Sequence, residues 1–178
     1  MKRVAIIGLS QSEAFAKLFP QMVRKIKQLV EAEFPIDEPV CLVSGGSSGA
    51  DHVAVVAFLE SKQSALHLYL PCAFTNKQYA LNPDGGDWTV NPGKSLNFRH
   101  RQFGKQIGQD TLSQIDEAIA RGAHVTIGKG FHDRNTMIAE NCDFLVAFSE
   151  TDVPTGGTLD TWSKTKAKKV CISVSNLL

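Results

Sequence analysis

The 178 residues are enough for one domain with its own hydrophobic core, held without disulfides or metals. Hydrophobic residues make up 43% and charged residues 21%, the balance of an ordinary globular chain. With 19 Lys and Arg against 18 Asp and Glu, the net charge of +1 excludes a broad electrostatic footprint for nucleic acid or membrane, so any anion binding must come from a local site.

The chain opens on Lys2 and Arg3 and an apolar run, Val4 to Ile7. That run meets Gly8 and then polar Ser10-Gln11-Ser12-Glu13, so it predicts a buried strand over residues 3–8 rather than a signal peptide. No stretch is long enough to span a bilayer. Phe15, Leu18, Met22, Ile26, Leu29 and Val30 then recur at helical spacing, with Lys and Arg on the opposite face. Pro20 interrupts the pattern and is expected to begin the main helix, the turns before it being irregular. Pro35 and Pro39 close the segment. A second strand over residues 40–43 ends in Ser44-Gly45-Gly46-Ser47-Ser48-Gly49-Ala50-Asp51, and a helix with Val53 and Val56 or Ala57 follows. A third strand over 66–70 is stopped by Pro71. Residues 142–148 and 169–174 read as the fourth and fifth strands, with room for a helix over 157–168.

Strands alternating with helical patterns predict an α/β chain. The expected fold is Rossmann-like: a mostly parallel sheet with helices on both faces and a long insertion after the third strand. Residues 1–178 form the single domain, and 72–133 are the insertion, expected to lie over a ligand cleft. Asn82-Pro83-Asp84-Gly85-Gly86-Asp87 and Asn91-Pro92-Gly93 are turn chemistry. Thr111-Leu112-Ser113-Gln114 resembles a capping box opening a helix with Leu112, Ile115 and Ile119 on one face, which Arg121-Gly122 would end. Cys41, Cys72, Cys142 and Cys171 lack paired spacing and predict reduced, buried thiols in a cytoplasmic protein. His52, His67, His100, His124 and His132 show no metal-ligand spacing, and no cofactor is implied.

Three motifs carry chemistry. In the first, Gly45, Gly46, Ser47 and Asp51 lie between a strand and a helix. Glycines there let a ligand approach the backbone, and the helix start offers unpaired N–H groups to a phosphate. Asp51 either caps the helix or accepts from a ribose or base. The second, Pro154-Thr155-Gly156-Gly157-Thr158-Leu159-Asp160-Thr161, repeats the strand–turn–helix placement. Thr158 is suited to donate to a phosphate oxygen, and Asp160 is the only carboxylate of that turn. Ligands in such sheets sit beyond the carboxyl ends of the strands, where both turns fall, and Gly8 and Ser10 at the first strand's exit join the set. The third motif, His132-Asp133-Arg134-Asn135, opens a helix: Arg134 can grip an anion with a planar fork, Asn135 beside it, and His132 is a possible acid or base. Lys94, Arg99, His100, Arg101 and Lys105 with Phe98 and Phe103 either serve single-stranded nucleic acid or form an amphipathic helix with its aromatics buried.

In this order the three motifs resemble the SLOG superfamily, which includes the lonely-guy phosphoribohydrolases and DNA-processing protein A. The resemblance covers roughly residues 40–60 and 131–175. It implies a homodimer and a nucleotide or nucleotide-derived ligand, bound by a sensor or sequestering protein. Arg134 would hold the nucleotide and, in an enzyme, assist cleavage of an N-glycosidic bond. The phosphoribohydrolases carry a catalytic glutamate where this chain has Thr161. Asp160 is one position earlier, a rotation of about 100° expected to aim it away from the ribose. DNA-processing protein A shares the pattern of Gly45 to Asp51, but the net charge makes nucleic acid an unlikely partner. The readings are therefore ligand binding, phosphoribohydrolase-like N-glycosidase activity through Arg134 and Asp160, or single-stranded nucleic-acid binding.

Overall fold

The computed structural model describes residues 1–61 and 64–178. Six parallel strands form the central sheet: β1 (Lys2–Gly8), β2 (Val40–Ser44), β3 (Ala65–Leu70), β6 (His124–Ile127), β7 (Phe144–Ser149) and β8 (Lys168–Ser173). A two-stranded hairpin, β4 (Phe74–Thr75) and β5 (Gln78–Tyr79), stands apart from them. The spatial order is β6-β3-β2-β1-β7-β8. The chain therefore winds outward from β1 in one direction and then crosses back to build on its other side. That reversal, between β1 and β7, is where an open α/β sheet leaves a crevice at its carboxyl end.

Alternating residues divide the core between the two faces. Val4, Ile6, Leu42, Leu66 and Leu68 face α1 (Glu13–Glu33), α2 (His52–Glu60), α3 (Pro92–Ile107) and α4 (Thr111–Ala120). Ala5, Ile7, Val43, Leu145 and Ala147 face the smaller layer of α5 (Gly130–Glu140) and α6 (Gly156–Lys164). The expected Rossmann-like α/β architecture is thus present. Among the described residues, no helix is long and apolar enough to cross a membrane.

Several boundaries differ from the sequence expectation, each for a local reason. Pro20 lies inside α1, which starts at Glu13 because the Ser12 hydroxyl accepts from the Phe15 N–H. The buried face from Phe15 through Ile26 runs continuously past the proline, and its packing outweighs a penalty of about 3 kcal/mol. Asp110, not Thr111, caps α4, its carboxylate accepting from the Ser113 N–H at 3.0 Å. The span from residue 157 to 168 holds the helix for which it has room, running from Gly156 to Lys164. Finally, the segment after β3 is more than a surface excursion: it carries α3 and α4 and returns to the sheet as β6, paired with β3 from His67–His124 to Leu70–Ile127.

Candidate functional site

A cleft of about 400 Å³ opens at the carboxyl end of the sheet over the β1–β7 reversal. Gly8 and Ser10 form its floor from the exit of β1, Ser47 and Asp51 come from the exit of β2, and Gly156, Gly157, Thr158 and Asp160 come from the start of α6. Arg134 and Asn135 descend from α5. The two glycine-rich turns thus open on the same edge of the sheet. Gly45 and Gly46 are not part of the lining: Gly45 lies against Arg134, and Gly46 against Leu70 and Tyr79.

Those two turns play different parts. α6 begins at Gly156 with φ +56°, and Thr155 provides no side-chain cap. The N–H groups of its first turn therefore lack intrahelical partners, the helix dipole adds positive potential, and Thr158 is buried beside them. An anion at this spot gains both. In the first turn, by contrast, the N–H groups of Ser47 and Gly45, together with that of Gly8, are directed at the Asp51 carboxylate, and the Gly46 N–H donates to Ser44 Oγ at 3.1 Å. The turn expected to cradle phosphate is filled by its own aspartate. Neither does that carboxylate cap α2.

Arg134 completes this knot. The side chain is 6% exposed; its Nη1 donates to the Gly45 carbonyl and lies 3.5 Å from Asp51 Oδ2. A Cβ at Gly45 would collide with the guanidinium, so a glycine is required there for close approach. The Phe131 ring lies 5.3 Å from Arg134 Cζ. Burial pushes the Asp51 carboxyl up to about 6, against the opposing pull of Arg134 and the three backbone N–H groups. Burial likewise works against the charge on Arg134, and Asp51 opposes that loss. The Arg134 Nε–H is buried and has no acceptor among the described residues.

From the segment after β3, two fully buried side chains hold the first turn from behind. The Tyr79 hydroxyl donates to the Gly46 carbonyl at 2.5 Å, and His100 Nε2 lies 2.8 Å from the same oxygen, which fixes Nε2 as its protonated nitrogen. Gly46 sits at φ +72°, a conformation a side chain would resist. Burial keeps His100 neutral, pushing it down to about 4, and raises the Tyr79 hydroxyl far above its ordinary range. Sequence spacing carried no signal for either contact, since both pair across 33 or more residues.

The basic cluster on α3 resolves into separate roles. Arg99 reaches the cleft and donates to Ser10 Oγ at 2.8 Å, while Arg101 is exposed and outside the lining. Phe103 and His100 are buried, and Phe98 is exposed, so the helix is amphipathic but only one of its two aromatics enters the core. Asp160 corrects a different expectation. It lines the cleft instead of pointing away, because α6 packs along α5 and three α5 and α6 side chains draw its carboxylate toward them. Asn135 Nδ2 donates at 3.2 Å, Lys164 Nζ at 3.1 Å, and His132 Nδ1 lies 3.6 Å away. Partial burial raises the Asp160 pKa, but these partners outweigh it and leave the group below its ordinary value. Thr161, where the resembled phosphoribohydrolases carry a glutamate, is buried on the same wall.

Fold and cleft together define a Rossmann-like α/β protein with a candidate anion site at the sheet's topological reversal. No family model and no solved structure matches the chain. The "Uncharacterized protein R261" of Acanthamoeba polyphaga mimivirus is 36% identical over 172 residues, an alignment covering 92% of this chain and 91% of the viral protein. The chain belongs to the family of that viral protein.

Proposed function

We propose that the cleft binds a phosphate-bearing nucleotide or nucleotide-derived ligand, as a sensor or sequestering protein. The observation that carries this reading is the convergence of the uncapped α6 start at Gly156–Thr158 and the Arg134 side chain on one cleft. Helix N–H groups, a hydroxyl and a guanidinium are the donor set that phosphate oxygens require. On the same grounds we assign the chain to the SLOG superfamily, which adds a homodimer to the proposal.

A phosphoribohydrolase-like N-glycosidase is the second reading, and Asp160 favours it. An ionised carboxylate on the cleft wall, oriented by Asn135 and Lys164, could stabilise an oxocarbenium-like ribose or activate water. The native mass of any small molecule released from purified protein on heating tests binding directly. Incubation with nucleoside monophosphates and ADP-ribose, with chromatography for free base, separates the readings. Persistent absence of binding to all of these compounds would defeat both.

A further inference from the structure

We infer that Trp88 is a stacking surface for the ligand's base, so that the cleft takes nucleotides in preference to base-less sugar phosphates. The inference rests on the phosphate-cleft reading above and specifies its other end. Trp88 belongs to the segment after β3 and lines the cleft, yet 48% of it remains exposed. Its nearest rings, Phe131 and His132, have centroids 6.1 and 6.2 Å away and are tilted by 52° and 54°, so neither stacks flat on the indole. Phe131 is itself engaged by Arg134.

The turn that presents Trp88 is built to hold it there. Asn82 N donates to Asn91 Oδ1 at 2.9 Å, and Asn82 Nδ2 donates to the Val90 carbonyl at 2.9 Å. The Asn91 N–H donates to the Asp87 carbonyl at 2.7 Å, and Asp87 Oδ1 accepts from the Thr89 N–H at 2.9 Å. Asn91 is buried at the start of α3, the helix whose Arg99 spans to Ser10. The indole is therefore fixed at both flanks of its loop and left with unused apolar surface inside a cleft. An indole is an unusually large apolar body to leave so, and every nucleobase offers a matching π-face. At about 400 Å³, the cleft lies within the range of ordinary small-molecule pockets. With phosphate at the α6 start, a base on Trp88 uses the remaining wall.

The test compares AMP, GMP, CMP and UMP with ribose 5-phosphate by calorimetry, with free base monitored in the same samples. The expected result is that at least one nucleotide binds roughly tenfold to a hundredfold tighter than ribose 5-phosphate. Trp88→Ala should erase that margin while leaving ribose 5-phosphate affinity unchanged, and Trp88→Phe should retain most of it. In a Trp162→Phe background, which leaves Trp88 as the only tryptophan, the nucleotide should quench emission and ribose 5-phosphate should not. Equal binding of all five compounds, or an equal loss for nucleotide and sugar phosphate on Trp88→Ala, would overturn the role of Trp88 while sparing the phosphate site. Failure of all five to bind would overturn the phosphate-cleft reading itself, and this inference with it.

Discussion

Replacing Arg134 by Met keeps most of the side chain's volume and removes the one cation paired with buried Asp51 among the described residues. Two losses follow. The first is the hydrogen bond to the Gly45 carbonyl, worth about 1–2 kcal/mol. The second is electrostatic and is capped, because an uncompensated carboxylate can take up a proton instead. Asp51 already titrates at about 6, against an ordinary value of 3.8. At about pH 7.5 full protonation in the variant adds no more than about 2 kcal/mol to the cost already present in the parent. At about pH 6 the parent is half protonated, and the added cost falls below roughly 0.5 kcal/mol. Arg134→Met should therefore lose about 3–4 kcal/mol at the higher pH and about 1–2 kcal/mol at the lower. Asp51→Asn in the same chain should recover the pH-dependent part. Denaturant unfolding of the parent, both single variants and the double variant at the two pH values measures each quantity. A loss independent of pH, or one the double variant fails to recover, would refute the Asp51–Arg134 coupling.

Thr158→Val should weaken binding of inorganic phosphate by about tenfold, the loss of one hydroxyl donor to an anion, with unfolding stability within about 1 kcal/mol of the parent. Calorimetry checks it, and unchanged affinity would place the anion elsewhere. Asp160→Asn should leave nucleotide affinity equal or slightly better; if free base is released by the parent, the same change should abolish that release. Tyr79→Phe should cost about 1–3 kcal/mol of stability, since the Gly46 carbonyl keeps only His100, and hydrogen exchange at residues 45–49 should speed up. Acidification should destabilise the protein. His52 and His100, pushed down to about 3 and about 4 by burial, contribute stability that is full above about pH 6.5 and lost as they are forced to protonate. Asp51, raised to about 6, gains stability as pH falls and offsets one of the two. Half-buried His67, pushed down to about 4 by burial, Arg3 and His124, adds to the loss, so the net is at least roughly 1.4 kcal/mol per pH unit between about pH 6 and 4.5, and a flat profile in denaturant unfolding would contradict it.

Much of the cleft was legible because strand ends and helix starts are local in sequence. Gly8, Ser47, Asp51, Gly156 and Thr158 each sit at a strand–turn–helix junction, and a parallel sheet delivers all such junctions to one edge. Contacts across the sheet were not legible. Asp51 filling the first turn depends on Arg134, 83 residues away, and the clamp on Gly46 depends on Tyr79 and His100. β6 escaped because His124-Val125-Thr126-Ile127 is four residues long, half exposed and at the sheet edge, so it shows no apolar run. Trp88 lies in a turn-rich stretch whose composition says only that it is a loop.

The wiring of the cleft bears on how the proposed anion would be held by a chain with almost no net charge. Arg134 is not a free cation waiting in solvent: Asp51 and the Gly45 carbonyl fix its position before any ligand arrives. Asp51 in turn is fixed by N–H groups from two turns, and one of those turns is clamped by Tyr79 and His100. Asp160 is fixed by Asn135 and Lys164. Arg134, Asp51 and Asp160 are each thus held by a second group behind them, so binding need not pay to order these three side chains. The cost is that Asp51 cancels part of Arg134's charge. Attraction must then come mainly from the α6 start, which carries no such counter-charge at its cap. A substitution that supplies one there, such as Thr155→Asp, caps the helix and stabilises the fold by about 1 kcal/mol. The same carboxylate would occupy the N–H groups a phosphate needs. Stability should therefore rise as phosphate affinity falls by tenfold or more, and a Thr155→Asp variant that still binds phosphate as the parent does would show that the anion does not sit on α6.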